Sequence, residues 1–279
     1  MPKSESRDSR PPVPDPLPHR VVDNHCHLDM GGALSVSEAL SLAASVGVER
    51  VVQIGCDLEG ARWAVEVADE YAEIVAAVAL HPNEAPRLAD QGRLDGGLAE
   101  IDRLAAADRV RAVGETGLDY YRTEPSGRAA QHASFRVHIA MAKKHAKTLV
   151  IHDREAHDDV LRILDEEGAP ERVVMHCFSG DADFARACVE RGFWLSYAGT
   201  VTFKNAVPLR EALAVTPHDR VLVETDAPFL TPMPYRGRPN ASYLVPLTVH
   251  SMAHTLDADV TDLCRQIDAN TDAAFGGTW

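Results

Sequence analysis

Apolar residues along this chain come in short continuous bursts, each followed by a stretch in which they recur every three or four positions. The bursts are RVVDN (20–24), VVQIG (51–55), IVAAVAL (74–80), VRAVG (110–114), TLVI (148–151), RVVM (172–175), FWLSY (193–197) and VLVET (221–225). Continuous runs rich in Val and Ile, without polar alternation, suit parallel strands covered on both faces. The intervening stretches, among them 37–46, 61–71, 131–146, 158–166 and 181–190, carry the helical period. Strands alternating with helices predict βα units on a parallel sheet. Eight such units match the α/β fold of a closed (β/α)8 TIM barrel, typically about 250 residues long. A doubly wound open sheet usually carries a Gly-rich phosphate turn after its first strand. Here HCHLD follows instead, which favours the barrel.

Composition narrows the function classes. The 279 residues are 45% apolar and 25% charged, ordinary for a globular chain. With 28 basic and 42 acidic residues the net charge is −14. That argues against a broad basic surface gripping duplex DNA, but not against a small site whose positive charge comes from metal ions. No apolar run approaches the roughly eighteen residues of a membrane span. The first residues, MPKSESRDSRPPVPDPLPHR, have no apolar signal region. Their Pro, Ser and charge content predicts a disordered tail over 1–18, followed by one folded domain over 19–279. The five cysteines are odd in number and form no CxxC pair, so reduced thiols and a cytoplasmic location are expected.

Active sites of such barrels gather at the C-terminal ends of the strands. His25 and His27 follow the first run, Asp57 the second and His81 the third. Glu115, His152, His176 and Asp226 close the fourth, fifth, sixth and eighth, while the seventh offers only Ser196 and Tyr197. In an extended strand, residues i and i+2 share a face, so His25 and His27 can bind one ion together. Four histidines (25, 27, 152 and 176) and two carboxylates exceed one tetrahedral site. They suit two divalent ions about 4 Å apart that share a carboxylate. Imidazole and carboxylate donors favour Zn²⁺ or Mn²⁺ over Mg²⁺. A lone histidine at a strand end is often structural, and His81 before Pro82 reads either way. Cys26 points to the opposite strand face from its flanking histidines and is read as core, as is Cys177. The histidines in tail, helix and turn contexts, such as His138, are read as surface or packing residues.

The segments DNHCHLD (23–29), VGETGLDYYR (113–122), IHDR (151–154), HCFSG (176–180) and ETDAPFL (224–230) resemble the TatD family of metal-dependent deoxyribonucleases, as do PYRGRPN (234–240) and ANTDAAFG (269–276). The resemblance implies an amidohydrolase-like barrel with two divalent metals. His25, His27 and Asp226 would bind one ion, His152 and His176 the other, and Glu115 would bridge. Asp226 and Glu115 would be the catalytic carboxylates, Asp226 as general base. Where several members read HPH, this chain has Asn83 after His81-Pro82. The expected reaction is hydrolysis of DNA phosphodiesters from strand ends, single strands favoured, by a monomer. The alternative is a two-metal hydrolase of an ester or amide, such as a D-aminoacyl-tRNA or a lactone. A metal-containing scaffold without turnover would have lost ligands, and the six are present. Around the site, Glu224 shares the barrel face of Asp226 and could orient a ligand. Arg154, Ser179, Arg122, Arg236 and Arg238 are candidate phosphate contacts. Tyr120 or Tyr121 could stack on a base.

Overall fold

The computed structural model describes residues 10–30 and 34–279. The eight runs become β1 (Val21–Cys26), β2 (Val48–Gly55), β3 (Ile74–Val78), β4 (Val110–Asp119), β5 (Thr148–Arg154), β6 (Val173–Met175), β7 (Trp194–Tyr197) and β8 (Val221–Val223). They pair in parallel in sequence order, β1 beside β2 through to β8. Helices α1 (Val36–Ala44), α2 (Leu58–Glu70), α3 (Glu84–Asp90), α4 (Leu94–Ala105) and α5 (Arg128–Lys144) lie in the first half. α6 (His157–Glu167), α7 (Ala182–Glu190), α8 (Val207–Val215), α9 (Val245–Leu256) and α10 (Val260–Ala274) complete the ring. This is the expected (β/α)8 barrel.

Alternate strand residues explain why both faces are apolar. Val52, Ile54, Val75, Ala77, Val150 and Leu222 fill the barrel interior. Their neighbours, such as Val51, Ile74, Ala76 and Leu149, pack outward in the layer shared with the helices. Phe275, at the end of α10, joins the interior cluster, and the nearby Ala274 carbonyl accepts from Thr148 Oγ1 at 2.5 Å.

The seam between β8 and β1 closes at the mouth. His27 N donates to Ala227 O at 2.8 Å and Asp226 N to His25 O at 2.9 Å. Beneath them the buried Asp23 carboxylate accepts from Thr225 N at 2.8 Å and Thr225 Oγ1 at 2.6 Å. Burial raises the Asp23 carboxyl to about 6 against these hydrogen bonds. Asn24 Nδ2 donates to Ser196 Oγ at 2.8 Å, tying β1 to β7.

β4 and β5 run well past the C-terminal ends of their apolar bursts. β4 continues past Gly114 to Asp119, and β5 past Ile151 to Arg154. Glycines are poor strand formers by propensity, but here they permit close approach to the neighbour. A Cβ on Gly114 would stand 2.5 Å from Val150 Cβ, and one on Gly117 (φ +134°) 2.2 Å from the His152 carbonyl. In β8 the difference runs the other way: the strand stops at Val223, leaving Asp226 beyond it.

The disordered tail expected over 1–18 needs correction. Positions 1–9 lie outside the described residues, whereas from Arg10 onward the chain is held against the barrel. Leu17 is buried, and its N–H donates to Val46 O at 3.0 Å. Pro11 O accepts from the Tyr243 hydroxyl at 2.7 Å. Prolines hold this segment extended at little entropic cost, so one buried leucine and a few hydrogen bonds suffice to dock it. Among the described residues no helix is long and apolar enough to cross a membrane.

Leu17→Ala is expected to cost about 2 kcal/mol of stability, read as a lower denaturation midpoint in urea. An unchanged midpoint would mean that this segment contributes no packing.

Candidate metal centre

The site is assembled around one carboxylate. Glu115, on the inner face of β4, is buried and meets imidazoles contributed from other strands. Its Oε1 stands 3.5 Å from His25 Nε2 and 3.6 Å from His27 Nε2. Its Oε2 stands 3.0 Å from His152 Nδ1 and 3.3 Å from His176 Nε2. Asp226 Oδ1 lies 3.4 Å from His27 Nε2 and 3.7 Å from His25 Nε2. The backbone of Asp226 is left-handed (φ +55°), a conformation that Asp and Asn accept more readily than other L-residues. It turns the carboxylate back over the β1 histidines.

The donors therefore fall into two groups on either side of Glu115. Donors around one tetrahedral ion at about 2.0–2.2 Å stand roughly 3.3–3.6 Å apart, close to the 3.4–3.7 Å found in the first group. His25 is fully buried and neither of its ring nitrogens makes a hydrogen bond. An imidazole left so in a protein interior is costly, and a cation at Nε2 would remove the cost. These residues fit a divalent metal pair.

Neighbouring carboxylates orient the rings. Glu224, fully buried, has Oε1 2.8 Å from His176 Nδ1 and accepts the Cys177 N–H at 3.0 Å. Asp119 Oδ2 lies 3.3 Å from His152 Nε2, and Asp119 also accepts from Arg122 N at 2.8 Å and Asn83 Nδ2 at 3.2 Å. A carboxylate on the far nitrogen fixes the tautomer and leaves the near one for the metal. His81 joins the second group, with Nε2 3.7 Å from Glu115 Oε2 and Nδ1 accepting from Asn83 N at 3.1 Å.

The electrostatics of these side chains carry the same charge imbalance. Burial alone would raise Glu115 and Asp226, yet the surrounding imidazoles hold both below the usual carboxylate range. Burial opposes charging of His152, but Asp119 and Glu115 lift it to about 9; His176 is likewise raised well above its ordinary value by Glu224 and Glu115. His25, buried and next to His176, is pushed down, and burial pushes His81 down to about 4. The centre thus collects positive charge around its carboxylates, as protons when no cation is present.

Other expected contacts are placed less uniformly. Arg154, the last residue of β5, stacks its guanidinium 3.9 Å from the ring centre of Tyr121, which is 60% exposed at the mouth. Arg236 stacks likewise on Phe203 at 4.2 Å, and Arg238 sits 5.4 Å from the Tyr235 ring centre. Ser179 Oγ donates to Asp153 O at 3.4 Å, a contact across to the end of β5. The exposed Arg122 borders a surface cleft with Pro86 and Thr123. Tyr120 faces α5 and α6, its hydroxyl on Asp159 and His132 and its ring under Arg128. Cys26 is core, but Cys177 is partly exposed, a correction that follows from its left-handed backbone (φ +43°) beside His176. His138 is a packing residue as expected, buried between α5 and β4 with Nε2 accepting from Leu80 N at 3.2 Å.

Asp57 does not enter the site; its side chain caps α2 by accepting from Gly60 N at 2.8 Å. The preceding residue enters instead. Cys56 Sγ lies 3.3 Å from Glu115 Oε1 and 3.7 Å from His27 Nδ1. Asp119 was also missed, although it stands an even number of residues after Glu115 and so shares its strand face.

Residues 22–276 match the family model described as TatD related DNase. The chain belongs to this family. It is 44% identical over 266 residues to the metal-dependent hydrolase TatD of Mycobacterium tuberculosis, covering 93% of this chain and 99% of that one. It is 38% identical over 258 residues to the metal-dependent hydrolase YabD of Bacillus subtilis, covering 91% and 98%. Among solved structures, YJJV, a TatD homolog from Escherichia coli K12, superposes with a TM-score of 0.85 at 26% identity, covering 93% and 99%. This TatD-family chain is a metal-dependent hydrolase.

Replacing Glu224 by Gln is expected to weaken divalent-metal binding roughly ten- to a hundredfold. Calorimetric titration of the metal-stripped protein reads the loss. Undiminished affinity would show that His176 does not depend on Glu224 for its orientation.

Proposed function

We propose that this chain is a two-metal deoxyribonuclease that hydrolyses phosphodiesters at DNA strand ends. The observation that carries it is the Glu115 carboxylate standing between His25, His27 and Asp226 on one side and His152 and His176 on the other. The first set would hold one ion, the second the other, and Glu115 both. When bound, two such ions supply an activated water and offset charge on the phosphoryl oxygens.

The chain's own residues do the rest. Asp226 directs Oδ1 toward the β1 histidines, which leaves Oδ2 to accept the proton of the attacking water. Glu224 and Asp119 keep the His176 and His152 rings in place through the reaction. The protein's excess of acidic residues confines favourable contact with an anionic polymer to the mouth. There Arg154 on Tyr121 offers a cation beside an exposed aromatic face, a pairing suited to one phosphate and one stacked base. A footprint of that size favours a strand end over a continuous duplex track. Zn²⁺ and Mn²⁺ are the ions best matched to this imidazole-rich donor set.

The test is a short single-stranded DNA labelled at either end, incubated with the metal-loaded protein and with Asp226→Asn. Stepwise shortening is expected from the native protein, and the substitution should lower its rate by about a hundredfold or more. Because Asn tolerates the same backbone, the variant should melt normally. Unimpaired cleavage by the variant would refute the role of Asp226. Absence of cleavage by a protein holding two metals would move the substrate to the carbonyl class, with D-aminoacyl-tRNA tested next.

A further inference from the structure

Cys56 is a donor at the centre that the two-metal reading leaves without a task. Its thiol follows β2 directly and sits beside His27, 3.7 Å from Nδ1, and beside the bridging carboxylate. Sγ lies 3.3 Å from Glu115 Oε1, the same oxygen that His25 Nε2 and His27 Nε2 approach at 3.5 and 3.6 Å. Sγ, a Glu115 oxygen and a His27 nitrogen all lie within 4.8 Å of one another, as metal donors would. A second observation marks this point as a cation site: His25, facing the same oxygen, is fully buried with both ring nitrogens lacking hydrogen bonds.

The chemistry of sulfur then bears on which ion enters. Thiolate bound to zinc stands at about 2.3 Å and carboxylate at about 2.0 Å, so adjacent donors at roughly 90–110° around a five-coordinate ion would be separated by roughly 3.0–3.5 Å. The observed 3.3 Å is compatible with that arrangement. A soft thiolate favours Zn²⁺, and any other thiophilic ion, over Mn²⁺ or Mg²⁺.

We propose that Cys56 is a ligand of the ion shared by His25, His27, Asp226 and Glu115, and that it biases this site toward thiophilic metals. On binding, the thiol proton leaves to solvent and sulfur donates its electron pair to the ion. The inference rests on the two-metal reading and adds a donor to one of its two sites.

Co²⁺ serves as the probe, because a cobalt–thiolate bond gives a near-ultraviolet charge-transfer absorption that nitrogen and oxygen donors do not. The metal-stripped full-length protein, Cys56→Ser and Cys177→Ser are each titrated with Co²⁺, with bound metal counted by elemental analysis. The expected result is a charge-transfer band in the native protein and in Cys177→Ser that disappears in Cys56→Ser while Co²⁺ remains bound. In competition, the preference for Zn²⁺ over Mn²⁺ should fall roughly ten- to a hundredfold in Cys56→Ser, the range for losing a group that tunes a metal site. Bound Co²⁺ without the band, or a band that survives Cys56→Ser, would overturn the thiolate ligand and leave Cys56 as a hydrogen-bond donor to Glu115. Failure of the native protein to bind Co²⁺, Zn²⁺ or Mn²⁺ would overturn the two-metal reading together with it.

Discussion

A buried carboxylate with nowhere to send its charge governs this molecule. Glu115 lies inside the barrel mouth, where an isolated anion would be prohibitively expensive. Its compensation comes from imidazoles delivered by β1, β5 and the turn after β6, and each must arrive within a few tenths of an ångström of the others. A barrel of parallel strands meets this demand because it aims the ends of all its strands at one axis. The glycines on either side of Glu115 serve the same end. They let β4 press against β5 so closely that a methyl group at either position would collide with Val150 or with the His152 carbonyl.

Much of this arrangement is written locally and is therefore legible in the chain. The apolar bursts mark the strands because a parallel strand must be apolar on both faces. The histidine pair in DNHCHLD declares its shared face through the two-residue period. What escaped were features set by contact across the fold. β4 was cut short at Gly114, since propensity counts glycine against a strand while close packing requires it. Cys56 faces the site in place of the expected Asp57, because the sheet register places the thiol inward and the turn of α2 claims the aspartate. The segment from Arg10 to Leu17 looks like a tail by composition, and only the pocket prepared beside Val46 and Tyr243 makes it part of the domain.

The mouth and the centre use the same cationic resource differently. At the centre, charge compensation is enclosed and oriented by second carboxylates such as Glu224, so that histidine nitrogens are committed to one direction. At the rim, guanidinium groups sit over aromatic rings, Arg154 on Tyr121 and Arg236 on Phe203. Stacking holds such a group in position while leaving its in-plane N–H donors free to turn outward. On a chain of net charge −14, these few fixed cations would be where an anionic substrate of the proposed kind meets least repulsion.

The seam where β8 returns to β1 carries a topological consequence. It joins segments 202 residues apart in sequence, the longest circuit that the barrel must close, and closure of so long a loop is among the larger entropic debts of folding. The backbone hydrogen bonds there are made by His25, His27 and Asp226 themselves. A divalent ion held by those three side chains would therefore act as a reversible cross-link between the two ends of the barrel, comparable in effect to a disulfide that encloses most of the chain, a constraint on the order of 5 kcal/mol. Chemistry and closure would then share one knot: stripping the ion would leave the circuit to the hydrogen bonds of the seam alone.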